Sequence, residues 1–104
     1  MKSAKEISLY DAIRQMRILS AEERPFSFAH FTWDDDRQKA DGLRVVNRAL
    51  IRPAAKEDQV RHAQFKLFYT DMDLNQPRNC WQPLLAYFNG QRVKIEGYAN
   101  SQRR

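Results

Sequence analysis

The chain has 104 residues, a formal net charge of +5, one cysteine, 42% hydrophobic residues and 30% charged residues. This length allows one domain with a modest core, and the composition is typical of a globular protein. No apolar run is long enough to span a bilayer, no secretory signal is recognisable, and a lone cysteine excludes an internal disulfide. We therefore expect a single domain over residues 1–104 with a cytoplasmic location.

The basic excess leaves two interpretations of the surface open. Twelve of the 18 basic residues are arginine, which suits bidentate contacts to phosphate or carboxylate, and a basic protein is compatible with nucleic acid. Acidic and basic residues are interspersed along the chain, however, which favours an ordinary solvated surface.

The first predicted element is an amphipathic helix of about three turns. Ser8 and Asp11 form a pair that resembles a capping box. Apolar residues follow at helical spacing, namely Leu9, Ala12, Ile13, Met16 and Leu19. A helix this short is unstable alone, so we expect it to pack on another element. Residues 1–7 are expected to be frayed, with order from about 8 to 96.

Five strands are predicted after the helix. Their apolar and polar residues alternate, and they cover residues 26–33, 43–52, 60–72, 80–88 and 91–95. Polar connections at 34–42, 53–59 and 73–79 separate the first four strands. Pro83 implies a bulge or an unpaired edge, and Asn89–Gly90 predicts a type I′ turn.

Segment 43–52 is the ambiguous one. Wound as a helix it would group Leu43, Val46 and Leu50 on one side. Gly42 before it, Pro53 after it and its β-branched residues favour a strand.

These elements predict an α+β fold. Sequential strands with short connections pair antiparallel, and the helix must cover a face or an open end of their sheet. We expect an N-terminal helix packed on a five-stranded antiparallel sheet, with a small open β-barrel as the more curved form of the same arrangement. Residues 97–104 are expected to form a flexible basic tail.

Two acidic segments could bind a metal but fit turns better. Residues 34–36 are three consecutive aspartates whose side chains point in different directions, which favours a solvated hairpin tip. Asp71, Asp73 and Asn75 match the opening of a calcium loop, but Gln76 replaces the required glycine and Gln82 the required glutamate. These residues are predicted to form turns with their own backbone.

The remaining candidates do not form a catalytic motif. His30, His62 and Cys80 lack the spacing of zinc ligands, and no glycine-rich phosphate loop occurs. Cys80 with a histidine and an aspartate could be nominated for nucleophilic catalysis, but beside Trp81 it fits a small core hydrophobe better. We expect no catalytic, cofactor-binding or metal-binding residues and no enzyme.

Basic residues among aromatic residues form the strongest pattern for binding. The strand prediction places three arginines on one face with a lysine across from them, the set being Arg44, Arg48, Arg52 and Lys66. Phe68 or Trp33 could stack on bases, as in proteins that bind single-stranded nucleic acid. Alternation alone also predicts a solvated face of arginines over an aromatic core, and this second interpretation is favoured.

Several short segments resemble a known group of proteins. They are LYDAIRQMR (9–17), FSF (26–28), DG (41–42), NCWQPLL (79–85) and FNG (88–90). In these segments the chain resembles small uncharacterised proteins encoded in prophage or other mobile-element regions of bacteria. The resemblance implies a bacterial, intracellular protein in a setting of virion assembly and nucleic-acid handling, and it assigns no catalytic residue.

The predicted function is a non-enzymatic structural or protein-interaction module, with a phage-type assembly component as its specific form. Its partner would be another protein or another copy, met through a sheet face or an exposed edge. The alternative is a nucleic-acid-binding small β-barrel that uses Arg44, Arg48, Arg52 and Lys66. No membrane and no small-molecule substrate are indicated.

Overall fold

The computed structural model describes residues 5–53 and 62–95, in which one helix packs on a seven-stranded mixed sheet. The strands are β1 (Glu6–Ser8), β2 (Phe26–Asp34), β3 (Lys39–Ile51), β4 (Lys66–Asp71), β5 (Gln76–Trp81), β6 (Leu85–Phe88) and β7 (Gln91–Lys94), and the helix α1 is Leu9–Ala21. The strand order is β1-β7-β6-β2-β3-β4-β5. The predicted tail at 97–104 lies outside the described residues.

The predicted α+β class is confirmed, but the strand count and the barrel are not. The sheet has seven strands rather than five, β1 pairs parallel with β7, and the other pairs are antiparallel. It does not close into a barrel, since β1 and β5 are its two end strands.

The helix forms and docks through two serine side chains. The Ser8 hydroxyl accepts the backbone N–H of Asp11 at 3.0 Å, which confirms the predicted N-cap. Near the other end, the Ser20 hydroxyl donates to the Met16 carbonyl at 2.8 Å and accepts the Ile51 N–H at 2.8 Å. The second of these bonds ties the helix to β3.

Residues 6–8 are paired rather than frayed. They form β1 beside β7, where the Lys5 carbonyl accepts the Arg92 N–H at 2.9 Å. The Glu6 carboxylate also accepts from Arg92 at 2.8 Å. The partner strand lies near the other end of the chain, so no local pattern could have predicted this pairing.

The first hairpin turns more tightly than predicted. The Asp34 carboxylate accepts the N–H groups of Asp36 and Arg37, so the turn needs only four residues and β3 begins at Lys39. Segment 43–52 is extended as predicted, apart from its last residue, which follows the end of β3.

Aspartate also sets the turn of the second hairpin. The Asp71 carboxylate accepts the N–H groups of Asp73 and Leu74, so these residues are the turn-formers that the sequence predicts. The turn ends before Gln76, where β5 begins, although the whole of 73–79 was expected to be a connection.

Two of the predicted strands are shorter or divided. Ala63–Phe65 is a single 3₁₀ turn before β4, and the start of the predicted strand at 60–61 lies outside the described residues. Pro83 sits in a second 3₁₀ turn, Gln82–Leu84, which separates β5 from β6. Proline has no N–H to give to a ladder, so the chain leaves β4 here and continues beside β2.

The core lies between the helix and the inner face of the sheet, defined as the face that the helix contacts. Helix residues Ala12 and Met16 are fully buried there. The sheet contributes most of the other buried side chains, including Phe26, Phe28, Val46, Ala49, Leu67, Tyr69, Leu85 and Phe88.

The last hairpin provides a test of local backbone conformation. Asn89 and Gly90 have φ values of 46° and 82°, as the type I′ prediction requires. We expect Gly90→Ala to lower the free energy of unfolding by about 1 kcal/mol, since a Cβ is disfavoured at positive φ. Urea unfolding of both proteins measures the difference.

Gly42→Ala is the matched control, because a Cβ added at Gly42 or at Gly90 meets no atom within 4 Å and only Gly90 has a positive φ. Equal losses of stability in the two variants would contradict the explanation that the effect of Gly90→Ala comes from the positive φ of Gly90.

Candidate functional site

A buried hydrogen bond between His30 and Tyr69 joins β2 to β4. The His30 Nε2 and the Tyr69 Oη are 3.1 Å apart, and both residues are buried. The His30 Nδ1 lies 3.1 Å from the Phe31 carbonyl. Because a carbonyl only accepts, the proton is assigned to Nδ1, and Nε2 then accepts the Tyr69 hydroxyl proton.

The surroundings of this pair keep the histidine neutral. Burial lowers the pKa of His30 below its usual 6.5; the bond to the Phe31 carbonyl opposes the shift, and the positive charges of Arg44 and Arg78 add to it. Burial also raises the pKa of Tyr69 to about 12. At neutral pH the pair is therefore an uncharged imidazole and an uncharged phenol.

A cavity of about 440 Å³ opens over this pair, between the β2–β3 hairpin and the β4–β5 hairpin. We refer to it as the cleft. Its polar and ionisable lining includes His30, Asp35, Arg44, Lys66, Tyr69, Arg78 and Cys80. His30 and Arg44 are direct neighbours across β2 and β3, and Tyr69 and Arg78 are neighbours across β4 and β5. The two arginines thus come from opposite walls.

The two arginines are incompletely paired. Arg44 forms no ion pair within the described part of the chain. The Nη2 of Arg78 donates to the side-chain carbonyl of Gln76 at 2.8 Å, but its Nε is buried and has no hydrogen-bond partner. A buried charged donor without a partner is uncommon in a folded protein.

Cys80 lines the cleft as a thiol. It is 5% exposed, and burial raises its pKa to about 12, an effect that the nearby Lys66 charge reduces. Only the thiolate is a strong nucleophile, so this cysteine is poorly suited to nucleophilic catalysis. Its burial agrees with the predicted role of a small core hydrophobe.

The structure separates the four basic residues of the predicted nucleic-acid face. β3 carries an extra residue between Val46 and Ala49, which leaves both of these side chains on the inner face. The alternation is therefore reversed beyond this bulge. Arg44 lies on the inner face with His30, whereas Arg48 and Arg52 lie on the opposite face, so the expectation of one shared face is wrong.

Three of these residues already have partners. Arg48 forms an ion pair with Asp73 at 3.4 Å. Arg52 donates to the carbonyls of Tyr69 and Arg78, and its guanidinium lies 5.7 Å from the centre of the Phe68 ring. The Lys66 ammonium lies 4.7 Å from the centre of the Trp81 ring. The proposed stacking residue Phe68 is buried, whereas Trp33 is partly exposed.

A second feature lies on the other side of the sheet. Five large apolar side chains are 39–62% exposed there, and we call them the outer face: Phe31, Trp33, Leu43, Val45 and Tyr87. Two of these residues, Phe31 and Trp33, also line the cleft. Ala29 is paired with both Val45 and Tyr87, and Phe31 is paired with Leu43. Neighbouring strands are about 4.8 Å apart, so these side chains form one continuous surface.

Other classes of site find no support in residues 5–53 and 62–95. This part of the chain holds no group of three or more histidine, cysteine, aspartate or glutamate side chains that could bind a metal. None of its helices combines the length and the apolar character that a membrane span requires.

Comparisons with known proteins give no identification. No protein-family model matches the sequence, and neither a curated protein nor a solved structure matches it.

The His30–Tyr69 pair predicts a pH dependence of stability. In the unfolded chain His30 binds a proton near pH 6.5. In the folded chain the pKa of His30 is lowered, so His30 binds a proton only at a lower pH. The free energy of unfolding should therefore fall as the pH drops below about 6.5 towards the folded pKa. Urea unfolding between pH 5 and 8 measures this slope.

His30→Gln should remove that part of the slope, whereas His62→Gln, which removes an exposed histidine outside the cleft, should keep it. An unchanged slope in His30→Gln would contradict the assignment. The pKa of Glu6 is lowered by Arg92 and Lys94, so the contribution of Glu6 to the pH dependence of stability lies at a lower pH than that of His30.

Cys80 predicts a second measurable property. A buried thiol with a raised pKa should react with iodoacetamide at pH 8 at least tenfold more slowly in the folded protein than in guanidinium-unfolded protein. Mass spectrometry over time gives both rates. Equal rates would mean that the thiol is accessible and ionised, and would support the hypothesis that Cys80 is a catalytic nucleophile.

Proposed function

We propose that this protein is a non-enzymatic interaction module that self-associates through the outer face. The observation that carries the proposal is the continuous apolar surface of the outer face. Single exposed apolar residues are common on proteins, but a contiguous patch is typical of an interaction site. The unreactive environment of Cys80 agrees with a role that makes and breaks no bonds.

The outer face is suited to a second copy of the same chain. In a two-fold interface each patch meets itself, so a charged patch would bring like charges together. The five side chains of the outer face are uncharged, and two copies can meet there although each has a net charge of +5. Three aromatic rings and two aliphatic side chains from each copy can then be buried together.

The outer face also borders a free strand edge. Within the described residues, β3 pairs with β4 only from Ala49 to Ile51, so the segment from Lys39 to Asn47 has β2 as its sole ladder partner. Leu43 and Val45 lie on this segment. An unpaired edge can accept a strand from another chain, which adds backbone hydrogen bonds to the apolar contact.

Self-association is also what an assembly component requires. The resemblance to proteins of prophage regions, where virion assembly is a neighbouring role, therefore supports a phage-type assembly component as the specific form of this proposal.

Nucleic-acid binding through Arg44, Arg48, Arg52 and Lys66 is the alternative. One observation favours it, since Arg44 and Lys66 line the same cleft beside Trp81. The contacts of Arg48 and Arg52 count against it. Retention on immobilised single-stranded DNA that falls steeply with added salt would support this alternative, and no retention at low salt would remove it.

The self-association proposal is tested with Leu43→Lys and Val45→Lys. Each places a charge in the outer face, so we expect the dimer of each variant to have a dissociation constant at least tenfold higher than that of the wild-type dimer. Multi-angle light scattering over a concentration series from about 1 µM to 1 mM measures the molar mass, since weak contacts are populated in this range.

Leu74→Lys is the matched control, because Leu74 is 56% exposed in the β4–β5 turn and Leu43 is 47% exposed in the outer face. The control should keep the wild-type mass. A wild-type protein that stays monomeric up to 1 mM would overturn self-association, and so would equal effects of all three substitutions.

A further inference from the structure

We propose that the cleft binds a phosphate group, either free or carried by a small molecule. This site is centred on the inner face of the sheet, where His30 and Arg44 lie, and it shares only Phe31 and Trp33 with the outer face. It includes Arg44 and Lys66 of the predicted arginine face, but Arg78 and the His30–Tyr69 pair took no part in that prediction.

The first support is the convergence of two guanidinium groups. Arg44 reaches the cleft from the β2–β3 hairpin and Arg78 from the β4–β5 hairpin, and both positive charges act on the buried His30 and Tyr69. Two cations that line the same cavity repel each other. An anion placed between them removes this repulsion.

The second support is uncompensated positive charge. Neither Arg44 nor Arg78 forms an ion pair with a carboxylate among the described residues, so both positive charges lack a counterion there. A guanidinium presents its donors in a planar fork that matches the oxygens of a phosphate. We expect a phosphate in the cleft to accept from Arg44 and to interact with the positive charge of Arg78.

The floor of the cleft does not compete for this anion. His30 is neutral, its Nδ1–H is used by the Phe31 carbonyl, and its Nε2 accepts from Tyr69. The charge balance of the lining also favours an anion, with Arg44, Arg78 and Lys66 against Asp35 alone. The positive field is thus concentrated on the walls.

The size of the cleft leaves room beside the phosphate. A cavity of about 440 Å³ falls in the range of small-molecule sites, and a phosphate ion fills a small part of it. Trp33 and Trp81 also line the cleft. Their rings can contact an apolar or aromatic group attached to the phosphate.

The proposal is tested by titrating the full-length protein with inorganic phosphate at pH 7.5 and constant ionic strength. Amide chemical shifts in ¹H–¹⁵N NMR spectra report binding residue by residue. We expect saturable shifts at His30, Arg44, Tyr69 and Arg78. A parallel titration with adenosine monophosphate distinguishes a free phosphate from a carried one, because a tighter complex indicates contacts beyond the phosphate.

Variants test whether the two arginines are responsible. Arg44→Gln and Arg78→Gln should each weaken phosphate binding at least tenfold. Arg48→Gln is the matched control, since it removes the same charge from an arginine paired with Asp73 outside the cleft, and it should change the affinity less than twofold. Arg44 is exposed, so its variant keeps the test valid if Arg78→Gln fails to fold.

Three results would overturn the proposal. The first is the absence of saturable shifts with both phosphate and adenosine monophosphate. The second is equal weakening by Arg48→Gln, which would indicate general attraction to a basic protein. The third is equally tight binding of acetate, which would show that the cleft does not select phosphate. All three outcomes are independent of whether the protein self-associates.

Discussion

The architecture depends on how little of the sheet a single short helix can cover. Helix α1 has 13 residues and is about 20 Å long, whereas seven strands spaced about 4.8 Å apart extend over roughly 29 Å. The helix contacts β1, β3 and β7. Under it the inner face is apolar, as at Phe26 and Ala49, and beyond it the inner face becomes polar at His30 and Arg44. The cleft follows from this limited cover of the inner face, and the outer face is exposed because the one α-helix of the described residues lies on the inner side.

The His30–Tyr69 hydrogen bond makes the uncovered part of the inner face stable without filling it. Each side chain is the hydrogen-bond partner of the other in a buried place, where an unpaired polar group would destabilise the fold. The Phe28 ring packs edge-on against the Tyr69 ring, with the two ring centroids 4.9 Å apart. The bond also holds the two hairpins at a fixed separation. The two arginines that line the cleft therefore belong to strands that the buried core holds together, and not to two independent loops.

The elements that depend on local patterns could be predicted, and those that depend on distant partners could not. The Ser8 cap, the aromatic strand β2 and the Asn89–Gly90 turn are each encoded within a few residues, and the structure contains all three. The short strand β1 has no local signal, and the bulge in β3 reversed the faces of its arginines. The cleft was missed because it combines β2 with β4 and β5, so residues such as His30 and Arg78 become neighbours only through tertiary packing.

The parallel pairing of β1 with β7 affects the order in which the fold can be completed. The side-chain contact between Glu6 and Arg92 spans 86 positions in the sequence, whereas each hairpin joins strands that are close in sequence. Contacts between such distant segments form slowly, because closing a long loop costs more conformational entropy than closing a hairpin. During synthesis, β1 has no partner until β7 leaves the ribosome. The helix that follows β1 must then dock by its own apolar side until the last strand arrives.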